Sequence, residues 1–254
     1  MGVDEALLEF AQRSVYDATL RLYAWEPACI SLGFGQPYSD VDIEKIRSRG
    51  WGVVRRITGG RAILHTDELT YAVIGKPEGE HLKGDILQSY LQISKALLTA
   101  LRSLGLEVEA KENFRGGTQE DKNPICYETP GAFEITVGGK KLVGSAQSRR
   151  SYGVLQHGSL PLGGEIARIT QGLHYLDDEA RAAAANRLNS KAITVETALG
   201  QTVDWETAAS AFEKAFEESL DVSLEEGELG GEEARRAEEL VGSKYRQMEW
   251  LQRI

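Results

Sequence analysis

The chain has 254 residues, of which 41% are hydrophobic and 27% charged, an ordinary composition for a globular protein that buries its own core. It has two cysteines, no apolar run long enough to span a membrane and no amino-terminal signal pattern, so we expect a cytoplasmic protein without disulfide bonds. The net charge is −10, with 13 acidic and five basic residues between positions 206 and 249, and this balance disfavours nucleic-acid binding.

The amino-terminal third is predicted to alternate short helices with strands. A helix is expected over residues 4–16, followed by strands in LRLYAW and ACISLGFGQ. The segment DVDIEKIRSRG predicts a short helix that begins at Asp40 or Asp42 and ends before a glycine. WGVVRRIT and RAILHTDELTYAVIG are predicted to form two strands on either side of the pair Gly59 and Gly60.

The middle of the chain combines one long helix with further strands. Apolar residues recur at steps of three or four before Gly105, which predicts an amphipathic helix with the face Ile86, Tyr90, Ile93, Leu97, Leu101 and Leu104. LEVEAKE is typical of an alternating strand, and residues 113–125 are predicted to form a long polar loop. AFEITVGGKKLVGSAQ predicts a β-hairpin, because a Gly-Gly pair separates two strand-like segments, and SYGVLQHGSLPLG predicts another strand.

The last third is predicted to be helical. DDEARAAAANRLN has a capped start, and GGEEARRAEELVGSKYRQMEWLQRI predicts a helix followed by a short aromatic tail. VDWETAASAFEKAFEESL predicts a helix with one apolar face formed by Trp205, Ala209, Phe212 and Phe216. The whole pattern predicts an α+β fold, with a single domain over residues 1–254 and a mixed or mainly antiparallel sheet core flanked by helices.

The two cysteines lie in different surroundings. Cys29 is among apolar strand residues, which is typical of a cysteine that packs in the core. Cys126 ends the polar loop in NPICYETPGAF, where a thiol is more exposed and reactive, and burial as a loop anchor is the alternative. No group of Cys and His residues has zinc-ligand spacing, so no metal is expected.

The hairpin and the first glycine pair carry the other candidate groups. Lys140 and Lys141 are adjacent on a strand, so one should point inward as a candidate functional group, unless this end of the hairpin is solvated. The amides of Gly59 and Gly60 could bind a carbonyl or phosphate oxygen, although a simple turn explains two glycines equally well. A triad on Ser159 is not expected, because no nucleophile-elbow pattern precedes that serine.

Three motifs in order, RRITGGRAILHTDELTYAVIG, KKLVGSAQSRRSYGVLQHGSLPL and KYRQMEW, resemble the lipoate–protein ligase/octanoyltransferase superfamily over nearly the whole chain. Within it the chain looks most like the LipM-type octanoyltransferases, because CYETPGAFEITVGGKKLVGSAQ has that group's cysteine, aromatic residue, Ser/Thr-Pro pair and lysine hairpin. Tyr127, where other members often have Phe, is a mild departure. Ligases of the superfamily tend to have an Asn-Asp pair in this loop and often an accessory C-terminal domain, and the chain ends just after KYRQMEW.

The resemblance implies the fold of the biotin and lipoate protein ligase catalytic domains, with a tunnel for an eight-carbon chain. It implies an acyltransferase of lipoate biosynthesis that moves octanoyl from acyl carrier protein to a lysine of a lipoyl-domain protein, such as glycine cleavage H protein, without a further cofactor. Cys126 would carry octanoyl as a thioester, and Lys141 would favour the thiolate and donate to the carbonyl oxygen. The implied acyl pocket and its surroundings comprise Arg56, Thr58, Gly59, Gly60, Arg61, His65, Gly144, Ser145, Ala146, His157 and Gly158.

The partners implied by the resemblance are usually acidic proteins. The basic residues in the middle of this chain, including Arg149 and Arg150, are therefore the expected docking face. Reversing the charge of either residue is expected to slow association more than chemistry, chiefly at low salt.

Three alternatives to this interpretation stay open. An ATP-dependent lipoate–protein ligase would use the same glycines and Lys141 to bind an adenylate, and it would tolerate Cys126→Ser. An amidotransferase between lipoyl domains would also need the cysteine and would differ only in its donor. A non-catalytic relative that binds acylated carriers would need neither Cys126 nor Lys141.

Overall fold

A computed structural model describes residues 1–112, 124–128 and 133–254, so most of the predicted polar loop lies outside the described residues. The strands are β1 (Ala18–Tyr23), β2 (Cys29–Leu32), β3 (Gly52–Arg55), β4 (Ile63–His65), β5 (Glu68–Gly75), β6 (Val108–Glu112), β7 (Phe133–Val137), β8 (Lys140–Arg150) and β9 (Gly153–Pro161). The helices are α1 (Gly2–Phe10), α2 (Ile43–Ser48), α3 (Ile86–Ser103), α4 (Asp178–Lys191), α5 (Val195–Leu199), α6 (Trp205–Leu220), α7 (Gly231–Leu240) and α8 (Met248–Leu251). Within the described ranges, none of the helices combines the length and apolar composition needed to cross a membrane.

The strands form two sheets. The larger has six strands in the order β1-β5-β9-β8-β7-β6, and every neighbouring pair is antiparallel. The smaller has the order β3-β2-β4, in which β2 runs parallel to β3 and antiparallel to β4. The predicted α+β class with a mainly antiparallel sheet core flanked by helices is therefore confirmed.

Local capping sets the starts of two predicted helices. The Asp42 carboxylate accepts a hydrogen bond from the Lys45 amide at 3.1 Å where α2 begins. At the start of α3, Asp85 Oδ1 accepts from the Gln88 amide at 2.8 Å, and Gln88 Oε1 accepts from the Asp85 amide at 3.0 Å. These bonds satisfy amide groups that have no partner within the helix, which is why each helix begins where the sequence predicts.

The two glycine pairs have different roles. Gly138 and Gly139, with φ of 55° and 78°, close the predicted hairpin between β7 and β8. Gly59 and Gly60 do not close a hairpin, because β3 and β4 both pair with β2 and not with each other. The strand predicted after this pair is also interrupted, since Asp67 has a φ of 39° between β4 and β5.

The main core lies between one face of the larger sheet and helices α3 and α6. Ile93 of α3, Phe212 of α6 and Tyr71 of β5 all belong to this cluster and have no exposed surface. Removing side chains of this size from water contributes about 1.5–3 kcal/mol each. The amphipathic faces predicted for both helices therefore form the contact that holds them to the sheet, except at Ile86, which is exposed.

The opposite face of the larger sheet is covered near β5 and β9 by α1. Leu7 and Leu8 of α1 pack against Ala72 and Leu155. Because alternate strand residues share a face, His157 lies on the same side of β9 as Leu155. This face of the sheet continues into the candidate site.

Candidate functional site

A cavity with an empty volume of about 350 Å³ lies between the two sheets, lined by residues of β8 and β9 from one and of β2 and β4 from the other. It brings together eight of the residues that the sequence singles out: Arg56, His65, Cys126, Gly144, Ser145, Ala146, His157 and Gly158. The other predicted residues lie outside its lining: Thr58, Gly59, Gly60, Arg61 and Lys141.

Cys126 begins a short 3₁₀ turn that is attached to the smaller sheet. The Cys126 amide donates to the Ala62 carbonyl at 3.0 Å, and the Ala62 amide donates to the Pro124 carbonyl at 2.9 Å. The next side chain, Tyr127, is buried, and its hydroxyl donates to the Ser159 carbonyl at 3.0 Å. Cys126 itself is half-buried, so these bonds hold its thiol on the wall of the cavity without sealing it in the core.

Lys141 is the inward lysine of the hairpin. It is buried, and its Nζ donates to the Cys126 carbonyl at 3.2 Å and lies 3.1 Å from Glu134 Oε1. Lys140 points elsewhere, with its Nζ donating to the Asn189 carbonyl at 3.0 Å. The prediction that one of the two lysines points inward is confirmed, and the hydrogen bond places Lys141 directly at the cysteine turn.

Gly59 and Gly60 are both exposed and lie outside the lining of the cavity, where the resemblance implied that they would stand. A Cβ added to Gly33 would lie 1.9 Å from the Gly60 carbonyl oxygen, so this backbone contact tolerates only glycine at position 33. Arg56 Nη2 donates to the Gly59 carbonyl at 2.9 Å and to the Arg61 carbonyl at 2.8 Å. The glycine turn therefore wraps around the Arg56 guanidinium.

A chain of buried polar groups runs along the wall of the cavity from Arg56 to Glu68. Arg56 Nη1 donates to Ser31 Oγ at 3.0 Å, and Ser31 Oγ lies 2.7 Å from His65 Nε2. His65 Nδ1 lies 2.7 Å from Glu68 Oε1, and Trp25 stacks on the imidazole with 4.3 Å between ring centroids. Which ring nitrogen of His65 donates depends on its tautomer, and each of the two nitrogens has a polar partner within hydrogen-bond distance.

His157 is a neutral member of the site. Burial lowers its pKa to about 3, and the charges of Arg56 and His65 add to this effect against the opposing attraction of Asp4. Its Nε2 lies 2.7 Å from Thr58 Oγ1, so the ring is hydrogen-bonded without being charged. Thr58 therefore contacts the cavity-lining His157 without lining the cavity itself.

Small residues on β8 and β9 keep the cavity open. A Cβ on Gly158 would lie 2.5 Å from Tyr71 Cε1 and 2.7 Å from Ser145 Oγ, so only glycine fits there. A Cβ on Gly144 would lie 3.4 Å from Tyr127 Cζ, at the edge of tolerated packing. Ser145 Oγ lies 2.7 Å from the Tyr71 hydroxyl, which fixes the serine at the cavity wall.

Several site residues have little or no signal in the sequence. Ser31, Thr70 and Ser159 lie within apolar strands, and only the pairing of strands brings them to the cavity. Glu68 accepts hydrogen bonds from Thr70 and Ser159 in addition to His65. The only sequence signal for Glu68 was that it follows His65 by three residues. In the structure, His65 ends β4 and Glu68 begins β5.

Comparison with known proteins shows the family and the fold of this chain. Residues 1–217 match the family described as the lipoyl protein ligase A/B catalytic domain. Octanoyltransferase LipM of Moorella thermoacetica is 39% identical over 254 residues, covering 100% of this chain and 93% of that protein. Octanoyltransferase LipM of Staphylococcus aureus is 33% identical over 256 residues, covering 99% of this chain and 92% of that protein.

Solved structures show the same fold. A chain in the structure of an archaeal lipoylation system from Thermoplasma acidophilum, a bipartite lipoate protein ligase and its E2 lipoyl domain, has a TM-score of 0.81. The similarity covers 100% of this chain and 91% of that chain at 23% identity. The fold expected from the sequence is therefore confirmed. The family match and these relatives show that the chain belongs to the lipoyl protein ligase A/B catalytic-domain family, where it is similar over its full length to LipM octanoyltransferases.

Proposed function

We propose that this protein is an acyltransferase that moves octanoyl from acyl carrier protein to a lysine of a lipoyl-domain protein, such as glycine cleavage H protein, in lipoate biosynthesis. The observation that carries the proposal is a half-buried cysteine that lines a cavity between the two sheets, with a lysine bonded to the carbonyl of that cysteine. The similarity to LipM octanoyltransferases supports octanoyl as the group transferred.

In the first half-reaction, the Cys126 thiolate attacks the carbonyl carbon of the octanoyl thioester carried by acyl carrier protein. A tetrahedral intermediate forms, with negative charge on the former carbonyl oxygen. The bond from this carbon to the carrier sulfur then breaks, and the carrier thiolate leaves and takes up a proton. One thioester replaces another, so the step is nearly balanced in free energy.

In the second half-reaction, the neutral amine of the acceptor lysine attacks the thioester on Cys126. The new carbon–nitrogen bond forms, the carbon–sulfur bond breaks, and the nitrogen loses a proton to give an amide. Cys126 returns as a thiolate, ready for another cycle. Converting a thioester to an amide is downhill and drives the cycle, so the proposed reaction needs no ATP.

Lys141 is proposed as the donor to the carbonyl oxygen in both half-reactions. Its ammonium already donates to the Cys126 carbonyl at 3.2 Å, so it stays at the turn that carries the sulfur. Removing one donor to a developing oxyanion typically lowers the rate by about a hundred- to a thousandfold. We therefore expect Lys141→Met to lower the rate of octanoyl transfer by about a hundred- to a thousandfold.

Docking of the two acidic protein substrates is proposed to involve Arg150, which is exposed. Arg149, the other basic residue predicted for this face, is half-buried and donates to the carbonyls of Leu82 at 2.7 Å and Pro77 at 2.8 Å. Charge reversal at Arg150 therefore tests docking, whereas charge reversal at Arg149 also breaks a structural contact. An association rate that does not depend on ionic strength would contradict electrostatic docking.

Intact-mass analysis tests the proposed function. The protein is mixed with octanoyl-loaded acyl carrier protein without ATP, and a mass gain of one octanoyl group that hydroxylamine removes is the expected result. Cys126→Ala should abolish the gain, and Cys29→Ala is the matched control, because Cys29 is buried in β2 away from the cavity lining.

The donor and the cosubstrate separate the alternatives. Acceptor modification by free lipoate and ATP that survives Cys126→Ser would identify a ligase and contradict the proposal. Acyl-enzyme formed from an octanoylated lipoyl domain but not from acyl carrier protein would identify an amidotransferase. Binding of the acylated carrier without any transfer would identify a non-catalytic protein.

A further inference from the structure

A serine, a histidine and a glutamate stand in line on the wall of the cavity. Ser31 Oγ lies 2.7 Å from His65 Nε2, and His65 Nδ1 lies 2.7 Å from Glu68 Oε1. All three side chains are buried, and those of Ser31 and His65 line the cavity. In serine hydrolases, groups in this order make the hydroxyl a nucleophile, because the carboxylate orients an imidazole that takes the hydroxyl proton. The proposed transfer through Cys126 gives none of these three groups a chemical step.

Strand pairing brings the three groups together. His65 pairs with Cys29, two positions before Ser31, so these three side chains lie on one face of the smaller sheet. Ser31 and His65 are diagonal neighbours on that face, a separation that their polar ends can bridge. Glu68 reaches the other side of the imidazole from the first position of β5.

The imidazole is held in one orientation by an aromatic ring. Trp25 stacks on His65 with 4.3 Å between ring centroids and 16° between ring planes. The indole is fixed in turn, because Trp25 Nε1 donates to Thr70 Oγ1 at 3.0 Å. The Thr70 hydroxyl donates to the Glu68 carboxylate, so the indole, the carboxylate and the imidazole belong to one hydrogen-bonded network.

The carboxylate favours the tautomer in which Nε2 of His65 is a base. Glu68 accepts hydrogen bonds from the hydroxyls of Thr70 and Ser159. An ionised carboxylate can only accept, so the ring nitrogen beside Glu68, Nδ1, is the one that carries the proton. In the neutral ring Nε2 is then unprotonated and lies within reach of the Ser31 proton, where a general base is needed.

A cation lies on the oxygen of the same serine. Arg56 Nη1 donates to Ser31 Oγ at 3.0 Å and to the Ser31 carbonyl at 2.8 Å. A hydroxyl oxygen has two lone pairs, so one accepts this bond and the other is left to attack carbon. The guanidinium also favours negative charge as it builds up on that oxygen. Ser31 therefore has a base at its proton and a cation at its oxygen.

Ser31 is reached only from the cavity that it lines. No part of the residue is exposed, and β2 is the central strand of the smaller sheet. Apolar side chains, among them Trp25, Ile63 and Ala146, line the same cavity. The substrate class that fits is therefore an apolar acyl group whose carbonyl carbon reaches Ser31.

We propose that Ser31 is a second nucleophile of this cavity, with His65 as its base and Glu68 as a positioning residue, and that the protein hydrolyses esters of apolar carboxylic acids there. Ser31 Oγ attacks the carbonyl carbon while its proton passes to His65 Nε2. The bond to the leaving alcohol breaks, and the alcohol oxygen takes this proton from His65. The activity goes beyond the proposed octanoyl transfer and does not depend on Cys126.

Water completes the cycle. It attacks the carbonyl carbon of the ester on Ser31 and gives a proton to His65 Nε2. The bond from carbon to Ser31 Oγ then breaks, and Oγ recovers the proton from His65. The products are one carboxylic acid and one alcohol for each ester and water consumed, with no oxidant or reductant.

Labelling by diisopropyl fluorophosphate tests whether Ser31 is nucleophilic. The parent protein and Cys126→Ala are treated and digested, and peptide mapping locates the diisopropylphosphoryl group that stays on an activated hydroxyl after fluoride leaves. We expect this group on Ser31 in both proteins. Ser94→Ala is the matched control and should be labelled like the parent, because Ser94 is also buried but donates to the Tyr90 carbonyl within α3, outside the cavity lining. An unlabelled Ser31 in both proteins would overturn the proposal.

Hydrolysis of p-nitrophenyl octanoate by Cys126→Ala measures turnover. In that background His65→Gln should lower the rate by about a hundred- to ten-thousandfold, because it removes the base, and Ser31→Ala by at least as much. Ser94→Ala should leave the rate unchanged. Equal hydrolysis with and without the Ser31 hydroxyl, or labelling without any turnover, would overturn the hydrolytic activity. If thermal melting shows that the Ser31 and His65 variants do not fold, labelling and turnover of Cys126→Ala decide.

Neither measurement uses acyl carrier protein or the Cys126 thiol, so the two proposals fail separately. Octanoyl on Cys126 in a protein whose Ser31 stays unlabelled would remove this inference and leave the proposed function. A labelled Ser31 that hydrolyses the ester, in a protein whose Cys126 takes no octanoyl from acyl carrier protein, would do the reverse.

Discussion

Acid should destabilise this protein through one residue of the cavity wall, His157. Its pKa in the folded protein is about 3, because burial disfavours the charged ring, whereas an unfolded chain has the ordinary value of about 6.5. Below pH 6.5 the unfolded state therefore binds a proton that the folded state does not. The stability that His157 contributes is fully present above pH 6.5 and is lost progressively as the pH falls toward 3.

The magnitude follows from the two pKa values. Between pH 7 and pH 5, protonation of this residue stabilises the unfolded chain by the equivalent of about one and a half pKa units. The same change in pH stabilises the folded protein hardly at all, because its imidazole stays neutral. At about 1.36 kcal/mol per unit, the free energy of unfolding should fall by about 2 kcal/mol from this group alone. The effect is a large share of the total stability of a typical domain, about 5–15 kcal/mol.

Urea unfolding at pH 7 and pH 5, followed by circular dichroism, measures this loss. The same experiment on His157→Gln should show a decline smaller by about 2 kcal/mol, because the variant has no imidazole to protonate. Other titrating groups cancel in the difference between the two proteins. The matched control is His174→Gln, since His174 is exposed and its variant should keep the full decline. A decline in His157→Gln equal to that of the parent would refute a neutral, buried imidazole.

Three further changes test the packing around the site. Gly144→Val should fill part of the cavity and lower kcat/KM for octanoyl relative to hexanoyl by about tenfold. A competition assay between the two acyl donors measures this ratio, and an unchanged ratio would show that the acyl chain lies elsewhere. Arg55→Leu should lower the free energy of unfolding in urea by about 3 kcal/mol, because it leaves buried carbonyls such as that of Leu251 without a donor, and a loss below 1 kcal/mol would contradict this. Tyr127→Phe should cost about 1 kcal/mol by the same measurement, since it removes the hydrogen bond to the Ser159 carbonyl, and no measurable loss would mean that water replaces it.

Features that depend on neighbouring residues could be predicted from the sequence. The Asp42 cap, the apolar face of α3 and the turn at Gly138 and Gly139 each arise from contacts within a few positions. Strand alternation predicts that one of Lys140 and Lys141 points inward, and the structure shows that it is Lys141. Local stereochemistry decides all four, so no knowledge of the remaining chain is required.

Features that depend on pairing between distant segments were decided by the tertiary structure alone. Ser31 meets His65 because β2 pairs with β4, and the Gly59 and Gly60 turn surrounds Arg56 because β3 joins the opposite edge of β2. Hydrogen bonds and burial across such separations do not appear in any local pattern, because many registers are compatible with the same alternation. The sequence by itself determined the start of α2, the amphipathic pattern of α3, the hairpin and the motifs of the family, whereas α1 covers Gly2–Phe10 and not the predicted residues 4–16. The cavity and the chain of polar groups that lines it came only from how the two sheets pack together.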